Sequence, residues 1–165
     1  MNERIHVLER CGECGLVVNG GTDGCRAVFN QVAVPTPGAN PYLPFRRLIV
    51  DTYSLQHPDP YCVSATSLAA HLTGVAWILE YRDDLASGSD QIRRWLNSKP
   101  RIRKPVLPAS YGELRIDSVA GGRTSEDIAR AVDGWARSTW SAYASLQAIA
   151  REWIEQALAY RGHAR

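Results

Sequence analysis

A chain of 165 residues, 45% hydrophobic and 22% charged, is long enough to bury roughly two thirds of its unfolded surface and too ordinary in composition for disorder or a fibrous repeat. Nineteen basic against seventeen acidic side chains leave a net charge of +2, which excludes strong long-range attraction to nucleic acid or anionic lipid. The most apolar stretch, within Leu68–Leu79, is interrupted by His71 and Thr73 and falls well short of the ~20 residues that cross a bilayer.

The opening Met-Asn-Glu-Arg-Ile-His lacks the basic-then-apolar order of a secretory signal, so a cytoplasmic chain is expected. There its four cysteines stay reduced, which leaves metal ligation, redox chemistry or simple burial.

Residues 1–24 are rich in Cys and Gly, with Cys-Gly-Glu-Cys-Gly at 11–15 and Asn-Gly-Gly-Thr-Asp-Gly at 19–24. Turns dominate, and Leu16-Val17-Val18 supplies one short strand, a ribbon-like element rather than a sheet. From Cys25 to Val34 the positions of Ala27, Val28, Val32 and Ala33 suit a helix that Pro35 and Pro37 stop. Residues 42–56 form a second helix, ended by Pro58, with His57 at its C-terminal edge. Ser64 caps a third that runs to Leu79 or Tyr81, carrying Leu68, His71, Leu72, Val75, Ile78 and Leu79 at three- and four-residue steps.

Ser89 or Asp90 opens a short fourth helix with Ile92, Trp95 and Leu96. Residues 99–110, with three prolines and no period, read as an extended loop. Thr124 and Asp127 resemble a capping pair for one long final helix through Ile128, Val132, Trp135, Thr139, Ala142, Leu146, Ile149, Trp153 and Ala157, closed by Gly162. The expected fold class is all-α: an antiparallel bundle of about five helices over 25–161, with segment 1–24 packed on it, all in a single domain 1–165.

Cysteines at i and i+3 with glycines beside them let two thiolates approach one tetrahedral ion, so Cys11 and Cys14 point to zinc. A thioredoxin-type redox pair would want a strand before the motif and a helix starting inside it, whereas Gly15 and a short apolar run follow. Further ligands must come from Cys25, His57, Cys62 or His71. His57 at a helix end can turn a ring nitrogen toward a loop. His71, mid-helix on an apolar face, suits a hydrogen-bonded or outer-shell role, and Cys25 and Cys62 could each be simply buried. Asp51, one or two turns before His57, could orient its imidazole, but a helix-surface aspartate is more often solvated. Trp77, Trp95, Trp135 and Trp153 sit at helical spacing and read as core.

These pieces together resemble a bacterial family known only as a domain of unknown function. The resemblance is carried by Cys11-Gly-Glu-Cys14-Gly15, Gly24-Cys25, Val50-Asp51-Thr52-Tyr53-Ser54-Leu55-Gln56-His57-Pro58, Ser67-Leu68-Ala69-Ala70-His71-Leu72 and Trp135-Ala136-Arg137-Ser138-Thr139-Trp140. It implies that Cys25 and His57 recur with the first pair, which favours a Cys3His site. Some members carry a histidine between the second and third cysteines and this chain has none, which leaves the fourth ligand between His57 and Cys62.

A site filled by four protein ligands is structural. The expectation is therefore a zinc-binding helical protein with a binding or accessory role, open to a protein partner, and with no residue assigned to catalysis. One alternative is a metal-dependent enzyme around His57, Asp51 and His71. Another is a nucleic-acid-binding module through the basic loop 99–104, although no aromatic stacking platform accompanies it.

Overall fold

The structure, a computed structural model, describes residues 7–34, 40–81 and 85–161. It opens with a hairpin in which β1 (Leu8–Arg10) pairs antiparallel with β2 (Val17–Asn19), Glu9 opposite Val18. The anticipated strand is thus half of a ribbon. Its partner Leu-Glu-Arg has no apolar alternation to announce it.

Cys11 and Cys14 occupy the turn of this hairpin. The Cys11 amide donates to the Leu16 carbonyl at 2.8 Å and the Gly15 amide to the Cys11 carbonyl at 3.0 Å. Gly15 at φ +76° turns the chain back where a side chain would be strained.

Helix α1 (Gly21–Ala33) begins ahead of the expected Cys25, because Gly20 at φ +81° swings the chain directly out of β2. Cys25 consequently lies one turn inside the helix. The helix ends at Ala33 with Val34 extended; Pro35 and Pro37, the expected stops, lie outside the described residues.

A 3-10 turn at Leu43–Phe45 leads into α2 (Arg46–Gln56), and His57 leaves the helical region at its C-terminus. The four-residue α3 (Pro58–Tyr61) then carries the chain to α4 (Ala65–Glu80). Ser64 and Ser67 cap α4 reciprocally: Ser64 Oγ accepts from the Ser67 amide at 3.0 Å and Ser67 Oγ from the Ser64 amide at 2.9 Å. Helix α5 (Leu85–Asn97) starts earlier than the expected Ser89 or Asp90. Residues 99–110 have no regular structure, as expected, yet Ile102 and Leu107, and Tyr111 just after them, pack against the core.

Thr124 Oγ1 accepts from the Asp127 amide at 3.1 Å and starts α6 (Ser125–Ala142). The expected single C-terminal helix is in fact two. The chain bends at Tyr143, passes a 3-10 turn at Ala144–Leu146, and resumes as α7 (Gln147–Ala159); Gly162 lies outside the described residues. Neither Pro nor Gly marks the break, because its cause is tertiary. Tyr143 is fully buried and its hydroxyl donates to the Leu55 carbonyl of α2 at 2.6 Å. The bend lets α6 pack on α2 while α7 packs on α4 and α5. This break and the short α3 bring the described α-helices to seven, against the expected five.

Tyr143→Phe should cost about 1–3 kcal/mol, since the buried Leu55 carbonyl loses its donor. Urea unfolding would measure it, with Tyr111→Phe, a part-buried ring beside Tyr143, as the comparison.

Helices α2 and α4 pack on each other, α2 also on α6, and α4 also on α5 and α7. All four of Trp77, Trp95, Trp135 and Trp153 are buried among aliphatic residues. Trp135 Nε1 donates to Gln56 Oε1 at 3.0 Å, and Gln56 Nε2 donates to the Tyr111 and Leu114 carbonyls, each at 2.8 Å. The residue before His57 is thereby locked to α6 and to the loop, which fixes where α2 ends. No described helix is long and apolar enough to cross a membrane.

Candidate metal centre

Three elements converge at the end of α2. The hairpin turn contributes Cys11 and Cys14, α1 contributes Cys25, and the C-terminus of α2 contributes His57. Their sulfur and ring-nitrogen atoms all lie within 4.8 Å of one another, and all four residues are buried. Cys14 Sγ is 3.7 Å from Cys25 Sγ, while His57 Nε2 is 3.5 Å from Cys11 Sγ and 3.4 Å from Cys25 Sγ. None of the four cysteines is in a disulfide. The group is positioned to hold a metal ion.

His57 is oriented for that purpose. Its Nδ1 lies 2.8 Å from the Tyr53 carbonyl one helical turn earlier. A carbonyl only accepts, so Nδ1 donates to it and Nε2 is the ring nitrogen that faces the sulfurs. The imidazole stacks on Tyr53 at 3.8 Å between centroids, and Tyr53 stacks on Phe29 of α1 at 4.0 Å. This column of rings holds both α1 and the imidazole in place.

The turn is anchored from several sides. The Gly12 amide donates to Thr22 Oγ1 at 3.0 Å, and the Asp59 amide at the start of α3 donates to Glu13 Oε2 at 3.3 Å. Arg115 donates to the carbonyls of Cys14 and Gly112, tying the hairpin to the long loop.

Electrostatically the cluster is short of positive charge. A hydrogen bond from the Cys25 thiol, opposed by burial, holds Cys14 well below the ordinary thiol range, with His57 helping. Cys25 moves the other way: sharing that hydrogen bond, its burial and the charge on Cys14 all favour its protonated form. Burial opposes a charged His57, but hydrogen bonds to Cys14 and the Tyr53 carbonyl outweigh it and raise its pKa. Two sulfurs 3.7 Å apart thus share one proton, the place a cation would take.

Cys62, weighed as a ligand, lies apart from this group. It is fully buried, its thiol donates to the Ser54 carbonyl at 3.5 Å, and burial pushes its pKa up to about 12. Cys62→Ala should therefore leave the metal content of the purified chain unchanged while costing about 1–2 kcal/mol of packing. A fall in metal stoichiometry in that variant, read by elemental analysis, would contradict the placement.

Asp51 does not orient His57, because the Tyr53 carbonyl takes that place. Asp51 is also not a solvated surface residue but is 3% exposed, accepting from Arg47 Nε at 2.7 Å and pairing through Oδ1 with His71 Nδ1 at 2.9 Å. His71 is correspondingly an α2–α4 bridge, and Asp51, His57 and His71 do not form one constellation. Tyr53, Phe29, Gln56 and Arg115 were not anticipated around the centre. Tyr53 alone had a local signal, standing four positions before His57 on the same helix face.

The model of a family described as of unknown function, DUF5946, matches residues 9–144, a span that includes the hairpin turn, α1, α2 and the whole of α6. No curated protein and no solved structure matches the chain.

Proposed function

The chain belongs to this family of unknown function, and on that premise we propose that it is a zinc protein in which Cys11, Cys14, Cys25 and His57 hold one structural ion, serving a cytoplasmic binding or accessory role. The observation that carries this reading is the spacing of the donors. Zinc bonds of about 2.3 Å to sulfur and 2.0–2.1 Å to nitrogen, set at tetrahedral angles, put two sulfurs about 3.8 Å apart and a sulfur about 3.6 Å from a nitrogen. The chain has 3.7 Å for Cys14–Cys25 and 3.4 and 3.5 Å for the two sulfur–nitrogen pairs. Thiolate with imidazole is also the donor set that suits zinc over the hard cations.

The burial of all four ligands supports a structural ion over a catalytic one, which keeps a coordination position for water. The redox reading of Cys11 and Cys14 finds no support in a hairpin turn with no helix starting inside the motif. Elemental analysis of chain purified without chelator should find about one zinc per chain, and none after Cys25→Ser. Metal-free protein that is folded and stable would sink the proposal.

Zinc uptake should release protons near pH 7. The hydrogen bond between Cys14 and Cys25 lowers the pKa of one thiol and raises that of the other, so the pair keeps one proton between its two sulfurs. Binding must expel at least that shared proton, so the apparent affinity rises with pH and falls with acid. Titration calorimetry in buffers of different ionisation enthalpy would count that release.

A further inference from the structure

We propose that the groove between α2, α4 and α5 binds a small organic oxyanion, a carboxylate or phosphate monoester with an apolar body, on Arg47 beside the Asp51–His71 pair. This does not depend on the metal reading. The groove has a volume of about 490 Å³, within the range of small-ligand sites. Ala70, Ile92 and Leu96 give it an apolar wall, Ser67 a polar edge, and Arg47 and Arg93 its charge. No carboxylate is among its described lining residues. Arg93 commits a terminal nitrogen to Asp90 at 2.9 Å, whereas Arg47 is paired through Nε alone, so Arg47 is the anchoring cation.

Arg47 is built for that role. Its Nε is committed to Asp51 Oδ2 at 2.7 Å, its side chain is 49% exposed, and the terminal nitrogens of the guanidinium fork are left to meet an incoming oxyanion. Asp51 is held in place by three neighbours. Its other oxygen pairs with His71, its side chain is 5% exposed, and α4 makes room for it with Gly74, where a Cβ would stand 2.0 Å from Oδ2. A buried carboxylate is expensive, and an apolar pair is often the more stable choice. Here the carboxylate orients a cation on one side and an imidazole on the other. With Nδ1 on Asp51, the ring of His71 stands beside the arginine that would carry the ligand's charge.

The test uses the full chain as purified without chelator, with phenyl phosphate and benzoate as anionic probes and benzamide as the neutral control. Calorimetry and the imidazole 15N resonances of His71 would be followed together. At least one anion should bind saturably and shift His71 while leaving His57 in place, and benzamide should not. The stronger of the two anions identifies the oxyanion preferred. Arg47→Ala should weaken binding by at least about tenfold, and Arg47→Lys should fall between, keeping the charge without the fork. Metal content and circular dichroism on each variant separate a lost groove from a lost fold. The proposal is overturned if neither anion saturates by about 10 mM, if benzamide binds as well, or if Arg47→Lys, and Arg47→Ala where it folds, bind as the parent does.

Discussion

Removing the metal with a chelator is expected to collapse the N-terminal third of the protein and lower its melting temperature by on the order of 10–20 °C. The four donors come from the hairpin turn, from α1 and from the end of α2, and the ribbon has only three residues per strand. Such a ribbon is marginal without support. Structural zinc supplies an apparent ~10–16 kcal/mol in small domains, comparable to the whole ~5–15 kcal/mol stability of a folded chain. Losing even ~5 kcal/mol corresponds to the shift given, at about 2–4 °C per kcal/mol for a chain of this size. Hydrogen exchange should show residues 8–33 and the end of α2 deprotected, while the buried faces of α4 and α7 hold longest. Adding zinc back should restore both signals. An apo chain with an unchanged melting temperature would show that the ribbon and α1 pack without the ion.

Gly24→Ala is expected to destabilise the chain by about 2–4 kcal/mol and to weaken zinc binding about 10- to 100-fold, although alanine is the better helix former by about 1 kcal/mol. Gly24 lies inside α1, where that gain would normally apply. A Cβ there would stand 1.9 Å from the Asn19 carbonyl oxygen and 3.1 Å from Val18 Cγ1. The obstacle is mainly backbone of β2, so the helix must move away from the ribbon. The next residue is Cys25, whose sulfur would move with it. Gly121→Ala is the control: nothing lies within 4 Å of its Cβ, and a change within about ±0.5 kcal/mol is expected. Urea melts and competitive zinc titration of both variants would check the contrast, and a neutral Gly24→Ala would mean that the ribbon yields more easily than its short strands suggest.

Where a signal is local, the sequence carried it. Ser64 before α4, the threonine before α6 and the proline after His57 act within a few residues, so α4, the start of α6 and the end of α2 were readable in the chain. The start of α1 was hidden by a Gly-rich stretch that reads as turn, although the same glycines begin the helix. The Tyr143 bend had no local mark at all, since a buried hydroxyl reaching across to Leu55 decides it.

The candidate site divides in the same way. Spacing and residue type determine that Cys11 and Cys14 face one point from a turn, and that His57 ends a helix where its ring can leave the helix face. These follow from backbone geometry over a few residues. Which distant donors meet them, Cys25 and His57 with Cys62 left apart, was decided by how α1 and α2 cross the hairpin. That crossing depends on packing of Phe29 on Tyr53 and on the space left by Gly24, contacts between residues far apart in the chain. The burial of Asp51 belongs to the same class, because the room for its carboxylate is made by a glycine on another helix.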